Sequence, residues 1–235
     1  MRLVNFSFVL IAATLAAAQS LDPLVADPQH YKLEFENQWV KVVRETMGPH
    51  EKMPMHEHTA PGALIILMTD RNNRLTSKSG ASETPRNHAG EIQWAGPSVH
   101  KSENLNDAPF EAIRIEPKQL PPGVSPKPLP PEKDDATILD PETYHVEFEN
   151  EYVRAIRVNI PPNEKGKMHK HPATRAVVVY LTDQNMRQTL ADGKTRENHY
   201  KAGQVRWVGP DVAHQDQNLS GMPSKLIRVE LKMSR

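Results

Sequence analysis

Two short histidine motifs recur in the sequence, 113 positions apart. The stretch PMHEH carries His56 and His58, and the stretch KMHKH carries His169 and His171. Residues i and i+2 of a β-strand point to the same side, so each pair can present two imidazoles to one ion. A third ligand for each ion must then come from another strand.

Each half of the chain offers such a third histidine after a Gly-Pro turn. GPSVHKSEN supplies His100 and GPDVAHQDQN supplies His214, and an asparagine follows four positions later, as Asn104 or Asn218. We expect two metal sites of three histidines, because three neutral imidazoles leave a divalent ion with open positions. The asparagines either orient the third histidine by hydrogen bonding or serve the turn itself. The alternative is that the histidines are satisfied core residues.

The histidine motifs belong to a longer internal repeat. DPQHYKLEFENQWVKVVR from Asp27 aligns with DPETYHVEFENEYVRAIR from Asp140, and AGEIQWAGPSVH from Ala89 aligns with AGQVRWVGPDVAH from Ala202. We interpret this as a tandem duplication. The histidines recur although other residues of the two copies have diverged, which favours ligands over core residues.

Alternating apolar and polar residues predict β-strands in both copies. ALIILMT (63–69) and AVVVYLT (176–182) are typical of strands buried on both faces. Asp192 and Gly193 indicate a hairpin turn. The sequence therefore predicts an all-β chain of two small antiparallel barrels or sandwiches.

Segments of unusual composition set the predicted domain boundaries. An N-terminal Arg2, a short apolar run and a small-residue Ala16-Ala17-Ala18 site predict a signal peptide, and hence a secreted or periplasmic protein. A membrane anchor is the alternative, but the run is shorter than the roughly 20 residues of a span. A proline-rich linker, either packed or disordered, separates the two copies. The predicted boundaries are 1–18 (signal peptide), 22–116 (first domain), 117–139 (linker) and 140–235 (second domain).

Composition argues against disulfide bonds, nucleic-acid binding and a membrane span. The 235-residue chain has a formal net charge of +0 and no cysteine, so disulfides cannot stabilise it. Without a basic excess, nucleic acid is not an expected partner. No segment after the signal peptide is apolar enough to predict a membrane span. A small molecule is the expected partner, and the oligomeric state is left open.

The spacing of these motifs resembles that of the cupin superfamily. Gly90–Asn104 and Gly203–Asn218 are similar to its second motif, G-x5-G-P followed by histidine and asparagine, and the H-x-H pairs are similar to its first. The resemblance covers nearly all of the chain after the signal peptide and implies two jelly-roll-like cupin barrels, a bicupin. It also implies a divalent transition metal in each barrel, with iron, zinc, manganese, nickel and copper all open. The second half is also similar to small cupins associated by name with β-alanine degradation.

The sequence departs from this pattern after each H-x-H pair. Many cupins carry a glutamate four or five residues later, but here Gly62 and Arg175 occupy that region. We name Arg175 as a candidate substrate-binding residue, because a guanidinium can pair with a carboxylate or phosphate. The alternative is that Arg175 projects from the barrel rim into solvent.

Two kinds of function remain after these observations. The resemblance implies a metalloenzyme, for example a dioxygenase, that acts on a small organic substrate. The alternative is a non-catalytic protein that binds a small ligand through its metals, or a structural or storage protein, since the fold alone does not fix function. No residue stands out as a general acid or base, so the catalytic residues are unassigned.

Overall fold

The computed structural model describes residues 20–119, 129, 132–171, 175–209 and 212–232. The predicted signal peptide (1–18) and much of the predicted linker lie outside these residues. We call residues 20–119 the first half and residues 132–232 the second half.

Nearly all regular structure in both halves is β, which confirms the predicted fold class. The first half contains α1 (Pro23–Ala26), β1 (Tyr31–Glu36), β2 (Val40–Met47), β3 (Lys52–His58), β4 (Ala63–Leu67), β5 (Arg71–Ser77), β6 (Ser82–Glu83), β7 (Arg86–Asn87), β8 (Ile92–Ala95), β9 (Ser98–Asn104) and β10 (Phe110–Pro117). The second half contains α2 (Ala136–Leu139), β11 (Tyr144–Glu149), β12 (Val153–Ile160), β13 (Ala176–Tyr180), β14 (Gln184–Leu190), β15 (Thr195–Tyr200), β16 (Val205–Val208), β17 (His214–Asn218) and β18 (Ser224–Leu231). The expected hairpin joins β14 to β15, with Gly193 at φ 83°.

Each half contains two sheets, and we call the one that begins with β1 or β11 the larger sheet and the other the smaller sheet. The larger sheets share one strand order, β1-β2-β10-β4-β8 and β11-β12-β18-β13-β16, and all their strand pairs are antiparallel. The smaller sheets are β3-β9-β5-β6, with β7 also on β5, and β15-β14-β17. In the second half, the described part of the segment that corresponds to β3 forms no named strand and pairs with β17 through isolated bridges at Lys165 and His169. Four of the metal-ligand candidates, His56, His58, His100 and His214, therefore lie on the smaller sheets, and His169 and His171 lie on the segment bridged to β17.

Strands β4 and β13 are buried along their whole length, as their apolar runs predict. Successive side chains of a strand point to opposite faces, so each strand serves two cores. Leu64 and Ile66 belong to a core that both halves share, whereas Ile65 and Leu67 face the core of the first barrel. The large sheets thus join the halves on one face and enclose a barrel on the other.

Polar and aromatic contacts reinforce the shared core in a nearly symmetric way. Arg44 of the first half donates to the carbonyl of Gly203 at 2.6 Å, and Arg157 of the second half donates to the carbonyl of Gly90 at the same distance. Trp94 also stacks on Phe148 across the interface, with ring centroids 6.2 Å apart.

The second half begins with a segment that sequence analysis assigned to the linker. Asp135 is fully buried and caps α2, just as Asp22 caps α1 in the first half. The segments that precede β1 and β11 therefore have the same local structure, a short helix capped by an aspartate. None of the helices in the described part of the chain is long and apolar enough to cross a membrane.

Candidate metal sites

The first histidine cluster lies inside the first barrel. Strand β3 carries His56 and His58, β9 carries His100, and the strand register places His56 opposite His100. The three ring centroids are 4.7–5.3 Å apart. One nitrogen of each ring lies within 4.8 Å of the others, close enough for the three to share an ion.

The second cluster repeats this arrangement on a less regular backbone. His169 and His214 exchange two backbone hydrogen bonds, of 2.9 and 3.0 Å, and His171 lies two positions along the same segment. The ring centroids are 4.5–5.5 Å apart, and the ligand nitrogens again lie within 4.8 Å of one another. The structure therefore brings together all six histidines that the sequence singled out, in two groups of three.

The hydrogen bonds of three histidine rings put the proton on Nδ1 and leave Nε2 as the atom that can bind a metal. His56, His169 and His214 each donate from Nδ1 to the carbonyl two positions earlier, at 2.8–2.9 Å. Because a carbonyl only accepts, this bond puts the proton on Nδ1 and leaves a lone pair on Nε2. Among the described residues, both ring nitrogens of His58 and Nε2 of His169 are buried without a hydrogen-bond partner. A bound ion in each cluster would satisfy Nε2 of His169 and one of the two nitrogens of His58.

Burial also favours the neutral imidazoles that a metal requires. Burial lowers the pKa of His56, His58, His169 and His171, and burial together with the charge of His56 lowers the pKa of His100 to about 4. A neutral ring can ligate an ion without first releasing a proton. Both clusters fit a transition metal on these grounds.

A buried tyrosine lies beside each cluster. The hydroxyl of Tyr31 lies 3.0 Å from Nε2 of His56, and the ring of Tyr144 lies 4.6 Å from that of His169. Burial, and then the charge of Glu45, raise the pKa of Tyr31 well above its usual value. No motif in the sequence marked these phenols as part of a site, because each occupies an ordinary apolar position at the start of a strand.

The first cluster opens into a cavity of about 600 Å³. His58 and His100 form part of its wall, together with three buried charged side chains, Glu45, Arg71 and Arg114. The apolar pattern of these strands gave no signal for the charged residues. Residues that lie in different strands of the sequence thus meet around one cavity.

The second cluster opens into a cavity of only about 120 Å³. Tyr180 and Tyr200 stack there with ring centroids 4.2 Å apart, and the guanidinium of Arg206 lies over the Tyr200 ring at 4.7 Å. Asp216 approaches His214, with 3.6 Å between Oδ2 and Nε2. Bulky side chains therefore occupy space that is open in the first half.

A fully buried carboxylate anchors the second cluster from behind. Oε1 of Glu230 lies 3.4 Å from Nδ1 of His171 and accepts a 3.1 Å bond from Arg228. Its other oxygen accepts from Arg154, which also bonds to Asp135. Burial alone would raise the pKa of Glu230, but His171, Arg228 and Arg154 lower it to about 2. The network therefore holds a charged Glu230 against the histidine ring.

Among the comparisons with known proteins, the one with solved structures identifies the fold. No family model matches the sequence, and no curated protein matches it. Among solved structures, AerE from Microcystis aeruginosa has a TM-score of 0.57 and 16% identity, covering 86% of this chain and 93% of that one. The cupin 2 conserved barrel domain protein of Leptotrichia buccalis has a TM-score of 0.52 and 11% identity, covering 86% and 88%. This chain has the cupin fold.

A third structurally similar protein is a manganese protein. The oxalate decarboxylase of Bacillus subtilis, described with Mn(II) centres, has a TM-score of 0.51 and 16% identity, covering 84% of this chain and 70% of that one. The structural likeness establishes the cupin fold, but at identities this low it leaves the activity open.

The remaining sequence candidates lie outside the two histidine clusters. The guanidinium of Arg175 stacks over the ring of Trp39 in the first half, 3.9 Å from its centroid. Asn104 donates to the carbonyls of Gly48 and Ala108, and Asn218 makes equivalent bonds to loop carbonyls. Within the described residues neither asparagine bonds to a cluster histidine, so both hold the loops that flank the third ligand.

Proposed function

We propose that this cupin is a metal-dependent enzyme that acts on a small organic molecule in the first half. The difference between the two cavities carries the proposal. About 600 Å³ adjoins the first cluster, a volume within the range of small-molecule sites, whereas about 120 Å³ adjoins the second. Each cluster has three histidines as ligand candidates, so the clusters differ mainly in the space that each leaves for a substrate.

A transition metal is the ion that supports this activity. Neutral imidazoles suit iron, zinc, copper and nickel, and manganese is present in the structurally similar oxalate decarboxylase. That enzyme also acts on a small organic acid, as its name states. Both points support a small-molecule reaction at a histidine-bound ion without selecting the metal.

The residues of the first cavity have separable tasks in this reaction. When bound, a divalent ion with three histidine ligands supplies a Lewis acid with open positions. His58 and His100 face the cavity, so a substrate there reaches the ligand cluster. Glu45 is a buried carboxylate of the same wall and the candidate to accept a proton from the substrate. We propose a dioxygenase as the first reaction class to test.

The experiment combines elemental analysis with an activity screen. Protein purified without chelator should contain close to two transition-metal ions per chain, one for each cluster. Oxygen consumption would then be measured over a panel of phenols, diketones and small carboxylates, with the iron form compared with the zinc form. Less than about half an ion per chain would contradict the proposed metal role. Metal without turnover on any substrate would favour the non-catalytic binding protein.

The second half supports a different role for its cluster. Its cavity is small, and the network around Glu230 holds His171 in place. We propose that this metal site stabilises the barrel and does not turn over substrate. A variant that lacks it should keep the activity of the first half.

Three narrower interpretations of the sequence also remain proposals. The composition of residues 1–18 supports export, which N-terminal sequencing of the mature protein from its native host would test. The alignment of the two halves and their shared order in the large sheets support a tandem duplication. The likeness to small cupins associated with β-alanine degradation suggests one group of compounds to include in the substrate panel.

A further inference from the structure

We propose that the first cavity recognises the carboxylate group of a small organic acid through Arg71 and Arg114. The inference rests on the proposed function, because it concerns the same cavity, and it adds the class of substrate. Both side chains line the cavity together with His58 and His100.

Arg71 is a buried cation with neutral partners. It extends from β5 with 8% of its surface exposed, and it donates to the amide oxygens of Asn87 and Gln93, the latter at 2.8 Å. In the described part of the chain no carboxylate lies within 4.0 Å of its guanidinium. Burial lowers the pKa of Arg71, and the charges of Glu45 and Glu83 oppose this only in part. A bound anion would offset the cost of burying this charge.

Arg114 is equally buried and is also poorly paired. It extends from β10 with 5% of its surface exposed, and its nearest carboxylates are Glu45 at 3.8 Å and Glu116 at 3.7 Å. Both distances exceed those of a hydrogen bond. Nε of Arg114 is buried without a hydrogen-bond partner among the described residues. An arginine in this state can still offer charge-assisted hydrogen bonds to a ligand.

In the second half, the arginine at the position that corresponds to Arg114 is paired with a carboxylate. Arg228 corresponds to Arg114, and it donates from Nε to the fully buried Glu230 at 3.1 Å. Gln184, which is neutral, corresponds to Arg71. Two buried arginines thus line the larger cavity with one buried carboxylate, Glu45, whereas Arg228, the buried arginine of the second cavity, is bonded to Glu230.

Charge and size together define the ligand class. Among the buried side chains of the wall, two guanidiniums and one carboxylate leave one positive charge, which a single carboxylate would neutralise. Glu83 also lines the cavity, but it is exposed to solvent. Because the arginines share the cavity with His58 and His100, an acid held by its carboxylate can extend toward the ligand cluster. A cavity of about 600 Å³ has room for a small organic acid.

The test compares acids with neutral amides of the same shape. Binding of propionate, benzoate, propionamide and benzamide would be measured by isothermal titration calorimetry, on both metal-loaded and metal-free full-length protein. We expect the acids to bind at least about tenfold more tightly than the amides. Arg71→Gln introduces the residue type found at the corresponding position of the second half. It should weaken acid binding by about tenfold or more, as expected for losing a charge-assisted hydrogen bond, and leave amide binding unchanged.

A matched variant and two independent readouts make the result decisive. Arg206→Gln alters a partly buried arginine of the second cavity and should leave acid binding in the first half unchanged. Circular dichroism and metal content would show that each variant folds and loads normally. Equal affinity for acids and amides, unchanged acid binding in Arg71→Gln, or no acid binding below about 10 mM would overturn the inference. Loss of the proposed function would instead appear as absent metal or absent turnover, with acid binding retained in the metal-free protein.

Discussion

Each of the two barrels holds a cluster of three histidines, but the carboxylate that lines the cavity beside the cluster lies on a different strand in each barrel. In the first half Glu45 on β2 lies in the cavity wall, and Ser102 is found on β9. In the second half the corresponding positions are Val158 and Asp216, so the carboxylate has moved to β17. The ligand cluster is therefore the constant part of each barrel, and the polar groups around it can change position.

The arginines that line the two cavities also lie on different strands. Arg71 of β5 bonds to Gln93 of β8, whereas the corresponding residues of the second half are Gln184 of β14 and Arg206 of β16. Arg206 packs against Tyr200, which corresponds to Asn87, and this larger ring helps to close the second cavity. Exchanging small amides for an aromatic ring and an arginine thus converts an open site into a filled one.

The largest difference between the halves should appear when each metal site is removed separately. The double variant His56→Ala/His58→Ala should lose one of two metal ions per chain and all turnover, because the open cavity adjoins this cluster. The double variant His169→Ala/His171→Ala should also lose one ion but keep the activity of the first half. Metal content by elemental analysis and activity on the same samples would check both outcomes.

The paired design also identifies a wrong assignment. If either double variant kept both ions, the corresponding histidines would not be ligands. If the second variant lost activity as completely as the first while remaining folded, the catalytic role would belong to both halves. The comparison between an open and a filled site would then carry no functional meaning.

The buried network behind the second cluster should dominate stability. Glu230 is fully buried and touches three cationic or imidazole groups, whereas its counterpart Glu116 is partly exposed and pairs with Lys41 at 2.9 Å. Glu230→Gln should lower the free energy of unfolding by about 3–5 kcal/mol, because Arg154 and Arg228 would each lose a buried ionic partner. Glu116→Gln should cost about 1 kcal/mol or less.

Urea denaturation with a chelator present would measure both variants without a contribution from metal affinity. Equal and small losses in the two variants would show that the buried network adds no more than a surface pair. The second half would then lack the rigid support that distinguishes it from the first.

A smaller effect is expected at the position where cupins often carry a glutamate. Gly62 adopts φ +115°, and a Cβ there would lie 2.4 Å from the carbonyl oxygen of Ala95. Gly62→Ala should cost about 3 kcal/mol, from backbone strain and the clash together. Gly80→Ala, at φ +89° with nothing within 4 Å, supplies the strain alone as a control. Similar losses in the two variants would mean that the loop moves to relieve the clash.

The sequence alone predicted the fold and the ligand candidates because both depend on local spacing. Alternation of apolar residues marked the strands, and the H-x-H pairs with His100 and His214 converge because neighbouring strands bring fixed faces together. The cavity walls could not be predicted in this way. Glu45, Arg71 and Arg114 come from three separate strands, and only the register of both sheets shows that they meet.

Contacts between the halves were equally inaccessible to a local pattern. Arg175 is a case in point, because its residue type suits a substrate carboxylate as well as an aromatic face. The sequence placed it near the second cluster, and the structure adds Trp39 from the other half as its partner. Pairing across 136 positions of chain follows from how two barrels pack and leaves no periodic signal.

The smallest effect concerns this same arginine and separates its two possible roles. Arg175→Ala removes the stacking on Trp39 and should lower the free energy of unfolding by about 0.5–1 kcal/mol, the usual size of an exposed cation–π contact. Because its guanidinium lies on the interface between the halves, metal content and acid binding should stay unchanged. Trp39→Ala/Arg175→Ala would complete a double-mutant cycle. A loss of ligand affinity in Arg175→Ala without a loss of stability would instead restore the substrate-binding role that the sequence suggested.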